Sequence, residues 1–426
     1  MRNIVICCDG TGNEIEEHQS NVLKFYRTLT RDDDQIVFYD PGVGTISEAS
    51  PWAQFLSKLK GVAGLALGIG LDANVLDAYR FLIRNYRAGD RIWLFGYSRG
   101  AYTARVLGGL IYSVGVLKPE QENLCTYALV TYKRSKTELA SIPTWRFRRV
   151  LGLRRPEIHF MGCWDTVGSV IVPRLREMRL PTTEDPPFTK ENPIVRHFRH
   201  ALALDEKRRM FRVYPWKVGQ DFMPRPPDEI DSQSEYIGRV NADRETERKY
   251  WERQDSRQVW FAGVHGDIGG GYPENESGPA KLPLKWMVDE ARSLGLRFED
   301  AEVAKLVEGR TPDEATESGW RADRHYRPPS PTDPLHDSFN FAWKLLEYLP
   351  KRAKWREWLP RRAFFKLYLP RKEPRVVPDG HELHPSVQER QTYGEWRSTG
   401  QGERKTPAAG APYRPVNLPD YAPPGN

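Results

Sequence analysis

The chain has 426 residues, of which 39% are hydrophobic, and it carries a formal net charge of +7 at pH 7. This length accommodates one large α/β domain with insertions or two domains, and the basic balance favours anionic partners without selecting among nucleic acid, phospholipid and acidic substrates. No stretch approaches the roughly 18 apolar residues of a membrane-spanning helix, and the short apolar run after residue 3 is not a signal peptide. We therefore expect a chain made in the cytoplasm, whose export would use a route without a cleavable signal.

Short apolar runs alternate with helical spacing through the first half of the chain. The predicted strands lie at 4–8, 35–39, 92–95, 157–164 and 258–264, and the first predicted helices lie near 20–30 and 73–86. Alternating strands and helices indicate a parallel sheet with crossover connections, because parallel neighbours cannot be joined by a tight turn. The sequence therefore predicts an α/β protein with a mostly parallel central sheet and helices on both faces.

Residues 96–100 read Gly-Tyr-Ser-Arg-Gly, between the third predicted strand and a helix of small residues. A nucleophile elbow needs this context, because the backbone is pinched there and the positions two before and two after the serine must lack bulk. The N-terminus of the following helix also favours the negative charge that develops at such a site. Ser98 is therefore the predicted nucleophile of an α/β-hydrolase-like domain.

The first predicted strand ends in the glycine-rich loop 9–13. In an α/β-hydrolase the loop at this place supplies a second amide to the oxyanion hole. We predict that a backbone N–H of Gly10, Thr11 or Gly12 acts together with the N–H of Arg99 to hold the oxyanion. A tight turn that ends in a helix cap explains the two glycines equally well, so both interpretations stay open.

Two later strands also end in side chains of catalytic type. The strand at 157–164 is followed by Asp165, and the strand at 258–264 is followed by His265 within a glycine-rich loop. Because α/β sheets place their active sites at the carboxyl ends of the strands, Ser98, Asp165 and His265 form the predicted triad. His265 would act as the general base, and Asp165 would orient its ring.

Other residues compete for these roles. His200 is a second candidate base, and it lies with His197 in a segment that we predict as a helix with charged partners. Asp9 and Asp267 are rival acids or loop-capping carboxylates. A metal site is an alternative to the triad, with ligands from Asp9, Asp165, Asp267 and His265.

The chain has four cysteines, which are Cys7, Cys8, Cys125 and Cys163. Their spacing does not match a metal site, and three of them lie in apolar strand-like runs. We predict reduced, buried thiols, and we expect neither a metal nor a cofactor.

The candidate substrate-binding residues are Asp9, Gly42, Gly44 and Asp267. The segment 39–45 follows the second strand, and it either shapes the pocket or forms a plain turn. The apolar, glycine-rich run at 61–71 is poor as a regular helix. It is predicted either as a flexible loop that admits acyl chains or as a buried loop.

We predict a catalytic domain at 1–300, with an insertion at about 170–256 that covers the site. Residues 301–398 would form a C-terminal extension, and 399–426 a Pro/Gly-rich irregular tail. Within the extension, residues 343–372 interleave aromatic and basic side chains, which suits an anionic membrane surface or docking on the catalytic core. Nucleic-acid binding is not expected, because no recognisable module is present.

Five motifs together carry a family resemblance over roughly residues 1–295. They are CDGTGN at 8–13, GLDAN at 70–74, GYSRGAYTAR at 96–105, WDTVG at 164–168 and GVHGDIGGGY at 263–272. With these motifs the chain resembles a bacterial hydrolase family that includes the first class of type VI secretion phospholipase effectors. The resemblance implies an α/β-hydrolase fold, a triad on Ser98, Asp165 and His265, and phospholipase activity in secreted members. Gly266 departs from the expected pattern, which has serine there.

The leading hypothesis is a serine-dependent ester hydrolase that acts on phospholipid acyl esters and contacts anionic membranes. One alternative is a carboxylesterase or thioesterase for a soluble acyl substrate. Another is a non-catalytic interaction protein that keeps the hydrolase fold. An immunity or secretion protein is the expected protein partner if the chain is exported.

Overall fold

The computed structural model describes most of the first 339 residues and parts of the remainder. The described residues are 1–10, 18–42, 70–135, 142–168, 186–223, 251–313, 319–339, 347–348, 350–352, 357, 367–398, 413–415 and 417–418. The predictions for Thr11, Gly12 and Gly44 lie outside them. So do those for most of the run at 61–71, most of the basic aromatic segment at 343–372 and most of the tail.

The strands in these residues include the five predicted from the sequence. They are β1 (Asn3–Cys8), β2 (Gln35–Asp40), β3 (Arg91–Tyr97), β4 (Ile158–Trp164), β5 (Val195–Ala203), β6 (Asp221–Phe222), β7 (Glu252–Arg253), β8 (Asp255–Phe261), β9 (Arg310–Pro312), β10 (Trp320–Ala322), β11 (Lys351–Arg352), β12 (Leu367–Tyr368) and β13 (Glu382–Leu383). Seven of them form one sheet in the order β13-β8-β5-β4-β3-β1-β2. The pairs β1–β2, β1–β3, β3–β4 and β13–β8 are parallel. The predicted mostly parallel α/β architecture is confirmed.

In the described ranges, helices come between and after the strands. They are α1 (Asn21–Thr28), α2 (Leu71–Asn85), α3 (Arg99–Val114), α4 (Cys125–Arg134), α5 (Ile142–Leu151), α6 (His265–Gly269), α7 (Gly278–Ser293), α8 (Asp300–Leu306) and α9 (Pro385–Ser398). From its second residue to its last, α3 is buried. It contacts β1, β3 and β4 as well as α2, α4 and α5, so the helix that follows Ser98 is held from several sides.

The chain divides into two compact units. The first consists of Met1–Asn13, Leu29–Arg199 and Tyr214–Arg257, and the second of Glu14–Thr28, His200–Val213 and Gln258–Asn426. The strands β5 and β8 begin in the first unit and end in the second. This division does not coincide with the boundaries predicted near residues 300 and 398.

Each unit has an apolar core of its own. The core of the first unit includes Ile6, Leu94, Leu107 and Met161, all without exposed surface. The core of the second unit includes Leu202, Trp260 and Val387 with partly buried neighbours. Burial of such side chains from water is the main favourable contribution to folding.

The helix predicted around His197 and His200 is wrong, because residues 195–203 form strand β5. Six consecutive residues of this strand, 198–203, are buried, so no polar face alternates with an apolar one. The charged partner of His197 does exist: its Nδ1 lies 2.8 Å from Oδ2 of Asp255. The segment predicted as an insertion at 170–256 therefore contains a strand of the central sheet.

The C-terminal extension contributes to the structure of the second unit. Glu382 and Leu383 pair in parallel with β8 at the edge of the sheet. In the predicted tail, the hydroxyl of Tyr413 donates to Oδ2 of Asp205 at 2.6 Å, and the side-chain amide of Asn417 donates to the carbonyl oxygen of Leu204 at 2.9 Å. The described part of the tail is therefore bonded to the turn after β5.

Candidate active site

Ser98 lies in the first unit, on the turn between β3 and α3. Its backbone has φ 55° and ψ −117°, a conformation that costs free energy for a residue with a Cβ. Its N–H donates to the carbonyl oxygen of Trp164 at 3.0 Å, and its carbonyl oxygen accepts from the N–H of Tyr102 at 3.2 Å. A strained strand-to-helix turn centred on a serine is the geometry of a nucleophile elbow.

The glycines on either side of Ser98 allow this turn to form. A Cβ on Gly96 would press on the backbone of Gly100 and Ala101, and a Cβ on Gly100 would press on the carbonyl oxygens of Cys8 and Asp9. The obstacles are backbone atoms, which cannot rotate away as a side chain can. The two positions predicted to lack bulk do so because two backbone segments meet there.

The turn after β1 is held by the carboxylate of Asp9, which is almost fully buried. Its Oδ1 accepts from the N–H of Gly10 at 2.6 Å, and its Oδ2 accepts from the hydroxyl of Tyr39 at 2.8 Å. Gly42, with φ 79°, packs against this turn, where a Cβ would come within 2.5 Å of the carbonyl oxygen of Gly10. These contacts favour the interpretation of Asp9 as a loop-capping carboxylate.

The same contacts reduce the number of amides that are candidates for the predicted oxyanion hole. The N–H of Gly10 already donates to Asp9, so it is engaged within the turn. The remaining amides predicted for this role are those of Thr11 and Gly12, outside the described residues, and that of Arg99. Arg99 is the first residue of α3, where backbone N–H groups have no partner within the helix.

Asp165 follows β4, the strand paired with β3, and it is fully buried. Its φ of 40° places it in the left-handed region, which Asp tolerates better than most residues. The hydrogen bond from Ser98 reaches the residue directly before Asp165. Within the first unit, the structure therefore brings Ser98 and Asp165 to neighbouring strand ends.

His265 lies in the second unit and is the first residue of helix α6. Strand β8 ends at Phe261, so three residues separate the strand from this helix. The glycine-rich loop predicted at this place is thus a short helix. The N–H of His265 donates to Oε2 of Glu206 at 3.2 Å, and its ring meets that of Phe211 edge to face with centroids 4.8 Å apart. Both the backbone and the ring of His265 are therefore held in place.

Glu206 contacts the candidate residue His265, and none of the sequence motifs includes it. It is fully buried after β5, and Arg208 binds it with two hydrogen bonds, Nε to Oε1 at 2.9 Å and Nη2 to Oε2 at 2.8 Å. Burial alone would raise the pKa of Glu206, but the Arg208 guanidinium outweighs burial and lowers the pKa. The sequence signal was an acid and an arginine two residues apart, directly after an apolar run.

His336 is a second residue outside these motifs, and it binds Asp267. Its Nδ1 lies 2.6 Å from Oδ1 of Asp267, while Oδ2 of Asp267 accepts from the N–H of Val264 at 3.0 Å. The His336 ring stacks on Tyr272 at 3.5 Å, and its Nε2 lies 3.3 Å from Oε2 of Glu276. Asp267 therefore caps α6 and orients His336, as its loop-capping interpretation predicts.

This contact predicts a pH-dependent contribution to stability. Burial lowers the pKa of His336, but the hydrogen bond and charge of Asp267, aided by Glu276, outweigh burial and raise the pKa overall. A raised folded-state pKa stabilises the protein fully below the unfolded value and no longer does so once the pH exceeds the folded value. We expect His336→Gln to lower the free energy of unfolding by about 1 to 3 kcal/mol at pH 5.5 and by less at pH 9.

Urea unfolding at both pH values measures this difference. His325→Gln, at an exposed histidine, serves as the matched control and should have an equally small effect at both pH values. An equal loss at pH 5.5 and pH 9 for His336→Gln would show that packing on Tyr272, and not the charge, carries the contribution.

The described residues contain no group of three or more His, Cys, Asp or Glu side chains arranged to hold a metal ion. The alternative metal site therefore gains no support from these residues.

In the same part of the chain, none of the helices has both the length and the apolar composition that crossing a membrane requires. The four cysteines are buried with free thiols, as predicted.

A mostly parallel sheet whose strand β3 leads through a strained serine turn into a buried helix is typical of the α/β-hydrolase class of proteins. Comparison with known families narrows this class. Residues 2–290 match the family model described as "T6SS, Phospholipase effector Tle1-like, catalytic domain". The chain belongs to this family, which confirms the resemblance seen in its motifs.

The sequence identity to individual proteins is low. The chain is 26% identical, over 406 residues, to the uncharacterized protein YEL023C of Saccharomyces cerevisiae, and the match covers 71% of this chain and 58% of the yeast protein. A crystal structure of an uncharacterized protein from Pseudomonas aeruginosa matches with 20% identity and a TM-score of 0.36, covering 70% of this chain and 46% of that one. The Tle1 effector bound to the VgrG spike of the type VI secretion system matches with 18% identity and a TM-score of 0.31, covering 65% and 53%.

Proposed function

We propose that this protein is a serine-dependent phospholipase that hydrolyses acyl esters of phospholipids. The observation that carries the proposal is the strained turn at Ser98, with φ 55° between β3 and α3. Such strain persists only where the surrounding structure enforces it, and it clusters at functional sites. Membership of a phospholipase effector family supports lipid as the substrate class.

In the proposed mechanism, Oγ of Ser98 attacks the acyl carbonyl carbon while His265 takes the hydroxyl proton. Asp165 stabilises the imidazolium that forms. The tetrahedral intermediate expels the lysophospholipid alkoxide, which receives the proton from His265, and an acyl-enzyme remains. Water then attacks the acyl carbon, with His265 again as the base, and releases the fatty acid and free Ser98.

An oxyanion forms in the tetrahedral intermediate of acylation and again in that of deacylation. It would be held by the N–H of Arg99 and by an amide of Thr11 or Gly12. The N-terminus of α3 adds a positive partial charge at the same place. Asp9, through its bonds to Gly10 and Tyr39, would fix the turn that presents the second amide. In this proposal Asp9 positions the backbone. The contacts of Asp9 and Asp267 within the protein favour positioning over the substrate-binding role first predicted for both residues.

The partner expected beside the substrate is an anionic membrane surface. In the described part of the basic aromatic segment, the side chains of Tyr348 and Leu367 are 60% and 44% exposed, and Arg371 and Lys372 are exposed as well. Exposed apolar groups beside cations suit a lipid headgroup layer. The family description as a type VI secretion effector supports export by a route without a cleavable signal and a secretion protein as partner. An immunity protein as a further partner stays a prediction.

Labelling with a fluorophosphonate probe tests the nucleophile. We expect the wild type to be labelled, and likewise Ser113→Ala, a control variant on the helix α3 that follows Ser98. Both Ser98→Ala and His265→Ala should lose the label. Folded wild-type protein that stays unlabelled would contradict an activated serine and would favour a non-catalytic binding protein on the same fold.

Product analysis then tests the substrate. Release of fatty acid and lysophospholipid from vesicles of phosphatidylglycerol and phosphatidylethanolamine is the expected result, together with flotation of the protein on these vesicles. Labelled protein that cleaves only soluble acyl esters and does not float would favour the carboxylesterase or thioesterase alternative.

A further inference from the structure

The side chain of Arg99, directly after the proposed nucleophile, is half-buried. Its Nε is fully buried and has no hydrogen-bond partner among the residues that the structure describes. The described bond of this residue involves its carbonyl oxygen, which accepts from Oγ1 of Thr103 at 3.1 Å. Burial lowers the pKa of Arg99 to about 10, with no nearby acid to oppose it, so the guanidinium stays charged at neutral pH.

Several arginines that are buried in the described part of the chain make hydrogen bonds through their terminal nitrogens. Nη1 of Arg105 donates to the carbonyl oxygen of Tyr214 at 2.9 Å, and Nη1 of Arg375 donates to that of Ala203 at 2.8 Å. A charged group that is partly removed from water and gains no protein partner is costly, because its lost hydration is not replaced. The Nε of Arg105 also lacks a partner, so the difference at Arg99 lies in its terminal nitrogens, which make no hydrogen bond within the described ranges.

The position of Arg99 adds a second cost. It is the first residue of α3, and a cation at a helix N-terminus faces the positive end of the helix dipole. An anion bound to the guanidinium would remove both costs, since it would pair the charge and would itself be favoured by the dipole. The charge without a partner and its place at the helix N-terminus therefore both favour an anionic ligand beside Ser98.

We infer that the Arg99 guanidinium binds the phosphate group of the phospholipid whose acyl ester Ser98 attacks. The planar guanidinium matches two phosphate oxygens with parallel hydrogen bonds, which an ammonium cannot do. In a glycerophospholipid the phosphate lies only a few bonds from the acyl esters, so a residue adjacent to the nucleophile is suitably placed. This inference rests on the proposed function and makes Arg99 the residue that selects phospholipids over neutral acyl esters.

A matched pair of substrates tests the selectivity. Dihexanoylphosphatidylglycerol and dihexanoylglycerol, both used below the concentration at which they aggregate, share the acyl esters and differ in the phosphate headgroup. We expect Arg99→Gln to lower the ratio of kcat/KM for the phospholipid to kcat/KM for the neutral ester by about 30-fold to 100-fold, as loss of charged hydrogen bonds predicts. Arg99→Lys should lower the ratio less, by about tenfold, because the charge remains and the fork is lost.

Two controls accompany these variants. Arg87→Gln, at an exposed arginine of the same unit, should leave the ratio unchanged. Inorganic phosphate should inhibit hydrolysis of dihexanoylglycerol by the wild type and should inhibit Arg99→Gln much less. Activation of the wild type by free phosphate would instead identify an effector site and would overturn the assignment to the substrate.

The thermal midpoint Tm provides an independent readout. Because Arg99→Gln removes a half-buried charge that has no partner among the described residues, we expect its Tm to equal or exceed that of the wild type. A clearly lower Tm, or equal losses on both substrates, would mean a structural role and would overturn the inference while the proposed function stands. If wild-type protein hydrolyses neither substrate, the proposed function itself fails.

Discussion

Asp165→Asn is expected to lower kcat for phospholipid hydrolysis by about 10⁴ while the protein stays folded. An uncharged amide in place of the proposed triad acid does not stabilise the imidazolium and fixes the wrong tautomer of the histidine, which costs about 10⁴ in kcat. Asparagine is the suitable replacement, because it matches aspartate in shape and tolerates the left-handed backbone, here with φ 40°. Steady-state kinetics on dihexanoylphosphatidylglycerol, with Tm as the check on folding, measures the effect.

Three other carboxylates supply the comparison for Asp165. Asp9→Asn and Asp267→Asn should reduce kcat by no more than about 10², since these residues position loops and do not stabilise the imidazolium. Glu206→Gln keeps an acceptor for the N–H of His265 and should behave similarly. A loss near 10⁴ in Glu206→Gln, with Asp165→Asn almost fully active, would transfer the role of the triad acid to Glu206.

Gly100→Ala is expected to cost about 3 kcal/mol in the free energy of unfolding and to abolish fluorophosphonate labelling. The added Cβ would meet the carbonyl oxygens of Cys8 and Asp9, which belong to the end of β1 and its turn. Neither backbone can move without shifting the sheet or the start of α3, and forced overpacking of this kind typically costs 1 to 3 kcal/mol, occasionally more. Urea unfolding and labelling of the soluble fraction measure the two effects.

Gly108→Ala, on the same helix, is the matched control. Its Cβ would meet the terminal methyl of Met161 at 2.7 Å, and the end of a flexible side chain can move aside. Alanine also favours a helix interior over glycine by up to about 1 kcal/mol. We expect near wild-type stability and full labelling, whereas equal damage in both variants would show that α3 tolerates no added methyl and that the elbow is not special.

The elbow was predictable because local rules act together there. An apolar strand, two glycines at fixed distances from Ser98 and a helix of small residues require no knowledge of distant contacts. The end of β4 directly before Asp165 was predictable for the same reason, whereas β8 ends at Phe261, three residues earlier than predicted. The structure adds the cause: Gly96 and Gly100 stand where two backbones touch.

Other features depend on contacts between residues far apart in sequence. Strand β5 contains His200 and several charged residues, and only its burial within the sheet explains how a strand forms there. His336 binds Asp267, which lies 69 positions earlier in the chain, so no local sequence pattern predicts this contact. Glu206 lies beside His265 only because the fold of the second unit brings the two together, and there it accepts a hydrogen bond from the N–H of His265. Long-range pairing of this kind lies beyond periodicity and spacing.

The buried cysteines have a practical consequence for biophysical work. Burial raises the pKa of the Cys7 and Cys8 thiols, and the reactive form of cysteine is the thiolate, so native protein should resist alkylation at these positions. Cys125 and Cys163 are likewise shielded from solvent. A single cysteine introduced at a solvent-facing site, such as Val150→Cys on α5 where the native side chain is 81% exposed, would then accept a spin label or fluorophore selectively. Arrival of the protein at a lipid surface could be followed in real time without first removing any native thiol.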